Sequence, residues 1–294
     1  MEIYHLDRSF PKLSPCLALG NFDGVHVAHR MLIEKAKAFG GKCAVFTFEH
    51  LRSPYLTSES QRLELLEECG ADAVYLCDFD SVKNMSYTDF FNSILIEKIG
   101  ISAAFCGFNF TFGNMARGKA EHLQMLCREH GLHCGILEER LIGSETVSST
   151  AIRQLLAQGD ASGAATMLGR PFSIEGQVVH GKALASRLGF PTLNIPVDSR
   201  ITPLKKGVYF TRCIIDGVTY DAVSNYGVRP TFNDGSTVLE TYLLDTSGDL
   251  YGKKVKVLFC AFSRDEQRFD STDSLACAAK KDIEAARSYF NSHN

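Results

Sequence analysis

Ten cysteines run from Cys16 to Cys277 without a single Cys-x-x-Cys pair. That absence argues against a zinc ribbon or a dithiol redox centre and fits reduced thiols that behave as small apolar side chains. No stretch is apolar for long enough to span a bilayer, and the opening Met1-Glu-Ile-Tyr-His-Leu-Asp7 lacks the basic and then apolar order of an export leader. The expectation is a soluble cytoplasmic protein with no membrane partner. Positive charge is not in excess either, since 31 Lys and Arg face 34 Asp and Glu for a net charge of -3. A globally basic surface for nucleic acid is therefore not expected, whereas small anionic ligands remain open. Internal repeats and low-complexity tracts are missing as well.

What is present is enough chain for two medium-sized domains, 294 residues. In the first half, apolar runs alternate with segments of helical period. Cys16–Gly20, Cys43–Phe48, Ala73–Cys77, Ala103–Gly107 and Gly135–Leu137 read as strands. Between them, Leu63, Leu65, Leu66 and Cys69 follow the caps Thr57 and Ser58, and Phe91, Ile94, Leu95 and Ile99 follow Ser86. This order predicts a doubly wound, mostly parallel α/β sheet whose ligands bind at the carboxyl ends of the strands. A helical pair, Thr150–Gln158 and Ala161–Leu168, then leads to a break at Gly169-Arg-Pro-Phe172. Beyond it, Val208–Ile215, a turn at Asp216-Gly217, Val218–Ser224, Thr237–Leu244 and Lys254–Cys260 read as strands. A last helix, capped by Ser271 or Thr272, presents Leu275, Ala279, Ile283, Ala286 and Phe290 on one face. The second half is expected to be a small antiparallel β-barrel closed by a helix, with the boundary near residue 170.

Gly20-Asn-Phe-Asp-Gly-Val-His-Val-Ala-His-Arg30 carries the sharpest chemistry. His26 and His29 share one side of a first helical turn, beside backbone N–H groups that favour an anion such as a triphosphate. A cap and a packing residue explain two histidines equally well. Gly107-Phe-Asn-Phe-Thr-Phe-Gly113 with Arg117-Gly118 suits a slot for a flat ring and a phosphate, although aromatics at strand ends commonly serve the core. Val147-Ser-Ser-Thr-Ala-Ile-Arg153 places three hydroxyls at a helix start with an arginine one turn in, a pattern that phosphate oxygens explain better than capping alone. In the second half, Glu240 sits in the apolar run Val-Leu-Glu-Thr-Tyr-Leu-Leu, where spacing alone favours a solvent-facing residue over a base. His130, His133 and Cys134 are explained by a helix end running into a strand.

Together, Gly-Asn-Phe-Asp-Gly-Val-His-x-x-His, Gly-Phe-Asn-Phe-x-Phe-Gly-x-x-x-Arg-Gly and Ser-Ser-Thr-x-Ile-Arg resemble the adenylyltransferase half of the bacterial bifunctional riboflavin kinase/FAD synthetases. Leu168-Gly-Arg-Pro171, Leu188-Gly-Phe-Pro-Thr-x-Asn194, Asn225-Tyr-Gly-Val-Arg-Pro-Thr231, Glu240 with Leu244-Asp245, Leu250-Tyr-Gly252 and Arg264 resemble the kinase half. The resemblance implies riboflavin plus ATP giving FMN plus ADP in residues 169-294, and FMN plus ATP giving FAD plus pyrophosphate in residues 1-168. It implies catalytic roles for His26, His29 and Glu240. Phosphate contacts would come from Gly20, Phe22, Asp23, Gly24, Ser148, Ser149, Thr150, Arg153, Gly181 and Lys182, flavin contacts from Asn109, Phe112, Arg117 and Arg264, and a magnesium site from Thr192 and Asn194. Three departures stand out: Ala28 replaces the usual glycine, Glu49-His50-Leu51 lacks the usual flanking prolines, and Ala185-Ser186 replaces Gly-Arg. Two alternatives follow from them, an adenylyltransferase with an impaired kinase and a flavin-binding regulator without turnover.

Overall fold

Six short strands form the sheet of the first unit, and the four central ones are buried along almost their whole length because helices cover both of its faces. In this computed structural model, which describes residues 1–180, 192–228, 237–246 and 250–293, contacts divide the chain into Met1–Ala151 and Ile152–Asn294. The first unit contains β1 (Glu2–His5), β2 (Cys16–Leu19), β3 (Cys43–Phe48), β4 (Ala73–Cys77), β5 (Ala103–Gly107) and β6 (His133–Leu137), all parallel in the order β1-β4-β3-β2-β5-β6. Alternate residues sort into two cores. Leu17, Leu19, Phe46 and Tyr75 pack with Phe90–Ile99 and with Leu123 and Leu126, whereas Cys16, Ala18, Val45 and Val74 pack with Leu32, Ile33, Leu65 and Leu66. Helix α1 (Val27–Phe39) and helix α2 (Glu59–Glu68) therefore lie on one face, with Phe90–Ile99 and Ala120–Glu129 on the other. The doubly wound reading holds.

Strand order places the switch point between β2 and β5. From β2 the chain winds outward to β3 and β4, then crosses to β5 and continues the other way to β6. The loops leaving β2 and β5 diverge there, which opens a crevice at their carboxyl ends. One helix differs from expectation. Phe91, Ile94, Leu95 and Ile99 are buried as the spacing predicts, but Phe90–Ile99 is wound as a π-helix, ending with Gly100 N–H on the Leu95 carbonyl. The wider turn brings Phe90 into the same core, beside Phe46 and Phe112.

In the second unit, β7 (Phe172–Gln177), β8 (Thr192–Pro196), β9 (Gly207–Ile215), β10 (Val218–Val228), β11 (Thr237–Leu243) and β12 (Lys254–Arg264) form an antiparallel sheet ordered β7-β12-β9-β10-β11-β8. Its two edges meet, because Val179, just past β7, bridges to Asn194 of β8 with its N–H on the Asn194 carbonyl at 2.9 Å. The sheet thus curls into a barrel. Asp216 and Gly217 both take left-handed φ values, 50° and 80°, as the tight turn between β9 and β10 requires. A closing helix, Thr272–Ser292, is capped by Ser271 and sets Ala286 and Phe290 against Val208 and Val223. Strands β7 and β8 were not legible in the sequence; their mixed polar composition resembles loop. Among the described residues no helix is long and apolar enough to cross a membrane.

Candidate active sites

The loop after β2 is fixed from several sides. Asp23 is buried, and its Oδ1 accepts the N–H groups of Leu56 (2.7 Å) and Thr57 (3.3 Å), while the Thr57 hydroxyl accepts the Gly24 N–H at 3.1 Å. Thr57 therefore serves this loop, and Ser58 alone caps α2, in a capping box with Gln61. Phe22 and Val25 take left-handed φ values of 51° and 39°, conformations that side chains adopt only when their surroundings hold them. Gly20 lies under the Phe22 ring, where an added Cβ would come within 3.2 Å of the ring. Phe22 itself is fully buried and Asp23 turns its carboxylate to backbone amides, so these two expected phosphate residues shape the loop through main chain and packing.

His26 caps α1, its Nδ1 accepting the His29 N–H at 3.3 Å. The proton of a neutral His26 then sits on Nε2. The two imidazoles stack at 3.6 Å between centroids, with the Phe22 ring 4.9 Å from His29, and the His29 Nδ1 atom is buried without a hydrogen-bond partner. Cap and ligand readings are thus compatible, since one nitrogen caps while the helix start keeps its anion-favouring N–H groups. Burial, and then the neighbouring His26, hold the His29 pKa well below its ordinary 6.5. The unfolded chain binds that proton more readily, so the stability contributed by a neutral His29 is intact above about pH 6.5 and is lost as pH falls below it. Melting temperature should accordingly drop more for the wild type than for His29→Gln between about pH 7 and pH 5. Equal acid sensitivity would contradict that assignment.

Ser149 donates its hydroxyl to the Asp23 carbonyl at 2.9 Å, and Ser148 accepts the Ala151 N–H at 3.1 Å as the cap of the helix Ser149–Gln158. Sequence-distant hydroxyls are thereby brought to the loop after β2. Thr150 is exposed and Arg153 half-buried on the same helix. Across the switch point, Asn109 and Arg117 are exposed on the loop leaving β5, whereas the Phe112 ring is buried against Phe90 and Phe110. Phe108, at 43% exposure, offers the open aromatic face that the sequence reading gave to Phe112. His50 lies in solvent beside Glu59, at 3.6 Å. His130 ends the helix Ala120–Glu129 with Nδ1 near the Leu126 carbonyl, and the His133 ring stacks on Phe39.

In the barrel, register creates a row that no stretch of sequence displays. Asn194 pairs with Glu240, Glu240 with Asn225, Asn225 with Val208, and Val208 with Arg264, so these residues cross five strands on one face of the sheet. Leu239 and Thr241, pointing the other way, are fully buried. Glu240 is half-buried, between the open and enclosed positions that its two readings require. Asn225, whose motif was visible but whose place beside Glu240 was not, joins the site. Arg264 binds Asp282 through two hydrogen bonds, Nε to Oδ1 at 2.8 Å and an Nη to Oδ2 at 2.7 Å, which hold its guanidinium against the closing helix and raise its pKa. Thr192 and Asn194 lie two residues apart on β8, with the Asn194 amide donating to the Thr192 carbonyl at 3.3 Å. Neutral oxygen donors of this kind fit magnesium, which binds through few protein ligands and keeps several waters. Gly181, Lys182 and Ala185-Ser186 lie outside the described residues.

Known proteins match both halves. The family described as FAD synthetase matches residues 12–151, and that described as riboflavin kinase matches residues 168–290. A "Bifunctional riboflavin kinase/FMN adenylyltransferase" of Pseudomonas fluorescens is 36% identical over 292 residues, covering 94% of each chain. Its namesake in Haemophilus influenzae is 33% identical over 291 residues with the same coverage. A crystal structure titled as a macrolide-efflux protein from Streptococcus pneumoniae superposes with a TM-score of 0.88 at 26% identity, covering 98% of this chain and 99% of that one.

Proposed function

The chain belongs to the bifunctional riboflavin kinase/FMN adenylyltransferases, and from that premise we propose how its residues divide the work. Its function is flavin cofactor biosynthesis: riboflavin and ATP give FMN and ADP, then FMN and ATP give FAD and pyrophosphate. The reading is carried by one coincidence, that each family match falls on a segment containing its own assembled set of polar residues. We assign adenylyl transfer to residues 1-168 and the kinase step to residues 169-294, with the helices Ser149–Gln158 and Ala161–Leu168 leading from one to the other. A purely flavin-binding regulator is not favoured, since both family matches are present and binding alone has no use for a base.

In the adenylyl step an FMN phosphate oxygen attacks the α-phosphorus of ATP as the bond to the departing pyrophosphate breaks. Such transfers depend on alignment and charge stabilisation more than on covalent chemistry. His26 Nε2–H and the N–H groups opening α1 would donate to ATP oxygens, with His29 stacked behind as the second donor ring. Gly20, Phe22, Asp23 and Gly24 give the loop its shape. Ser148, Ser149, Thr150 and Arg153 would hold the leaving pyrophosphate, and Asn109, Arg117 and the exposed Phe108 would seat the flavin, with Phe112 packed in the core behind that strip. Ala28 places a methyl where the family's backbone meets phosphate, which is expected to make this approach less close.

In the kinase step Glu240 would take the proton of the ribityl 5'-hydroxyl as that oxygen attacks the γ-phosphorus and ADP leaves. Thr192 and Asn194 would hold Mg2+, which when bound neutralises phosphate charge. Arg264 would face the flavin, steadied by Asp282, while Gly181 and Lys182 are assigned to phosphate by resemblance alone. The cytosol is the compartment this reading needs, and riboflavin, FMN, FAD and ATP are the flavins and nucleotide it names as ligands. Two separate incubations with ATP and magnesium test it, one supplied with riboflavin and one with FMN. FMN followed by FAD is expected from the first and FAD at once from the second; riboflavin left unchanged while FMN is adenylylated would instead mark an impaired kinase.

A further inference from the structure

A fully buried arginine stands behind the loop after β2, outside every motif described above. Arg62 of α2 is 1% exposed. One terminal nitrogen donates to the Asn21 carbonyl (3.2 Å) and the Thr47 hydroxyl (3.3 Å), and the other donates to the carbonyls of Phe48 (2.6 Å) and Glu49 (3.1 Å). Thr47 itself donates to the Asn21 carbonyl at 2.9 Å, closing the cluster. Every acceptor is neutral, and no ion pair among the described residues includes Arg62. Glu59, and then Asp23, act on its charge only from a distance. A buried cation without a paired carboxylate is costly and is retained where the fork of donors or the charge has a use.

That use follows from where the acceptors lie. Asn21 belongs to the strained loop between β2 and α1, whereas Phe48 ends the neighbouring strand β3 and Glu49 follows it, so the guanidinium ties one carboxyl strand end to the loop of the next. Asp23 and Thr57 pin the same loop farther along. Loosening the first tie would let Phe22 and Val25 relax from their left-handed conformations, and His26 would move with them. Resting on the adenylyltransferase reading of this loop, we propose that Arg62 is a positioning residue for adenylyl transfer, holding the Gly20–His26 loop so that His26 and the α1 N-terminus meet the nucleotide phosphates. Its uncompensated positive charge also biases the loop toward an anionic occupant. Lysine cannot substitute, because one ammonium does not span four acceptors.

The full chain bearing Arg62→Lys or Arg62→Met tests this, with kcat and KM for ATP measured for FAD formation from FMN and, in parallel, FMN formation from riboflavin. Arg62→Lys, which keeps the charge and loses the fork, is expected to lower kcat for FAD formation about 10–100-fold with a smaller change in KM, because misplacement of about 1 Å carries a penalty of that order. Arg62→Met is expected to lower kcat similarly and to raise KM for ATP as well. FMN formation should stay within about twofold in both, a split that a general loss of folding would not produce. If Arg62→Met does not fold, Arg62→Lys decides. A kcat for FAD formation within about twofold of wild type in Arg62→Lys would overturn the proposal, as would parallel loss of both activities with a lowered melting temperature. A wild-type protein that makes no FAD from FMN would refute the underlying reading instead.

Discussion

Replacing His29 by alanine is expected to lower FAD formation by at least about 10²–10³-fold while FMN formation from riboflavin continues near its wild-type rate. The size follows from what the ring does at its place. It stacks on His26 at 3.6 Å and is itself covered by Phe22, so it both supplies a donor ring and fixes its neighbour's plane. Alanine removes the donor and the ring that stacks on His26, although the cap persists because it uses the backbone N–H of residue 29. Product analysis with each substrate measures the effect, and a melting curve separates it from unfolding. Equal loss of both activities would mean that the two units do not divide the chemistry.

Glu240→Gln is expected to do the converse, lowering kinase kcat by about 10²–10⁴-fold, the usual consequence of removing a general base. An amide of equal shape preserves the strand and the cross-strand neighbours Asn194 and Asn225, so binding of riboflavin and ATP should change little. FAD synthesis from supplied FMN should be unaffected. Near wild-type kcat in this variant would return Glu240 to the solvent-facing role that its spacing alone favours.

Local chemistry was the legible part of this chain. His26 and His29 declare themselves because three residues of helix place them on one side, and Ser148 and Ser149 because a helix start needs a cap. Asp216-Gly217 announced its turn, and the apolar strands β2 to β5 their sheet. Relations across the chain were hidden. Glu240 reads as an ordinary alternating residue until antiparallel register sets it between Asn194 and Asn225, pairings separated by 46 and 15 positions. Arg62 reads as a charged position on a Glu-rich helix until the fold carries that face inward against β3. Phe112 shows the opposite error, since an aromatic in a promising strip was spent on the core beside Phe90. The short strands β7 and β8 carry too little apolar periodicity to stand out, and their pairing across the barrel seam depends on residues such as Val179 that no local pattern marks.

Complementation between the two variants tests the division of labour most directly. His29→Ala and Glu240→Gln, each incubated alone with riboflavin, ATP and magnesium, should make little FAD, the first accumulating FMN and the second leaving riboflavin unconverted. Mixed in one tube they should make FAD at a rate approaching that of the wild type, because FMN released by the intact kinase of one chain reaches the intact adenylyl site of the other. A mixture that makes no more FAD than its components would contradict two separate sites joined by a diffusing FMN.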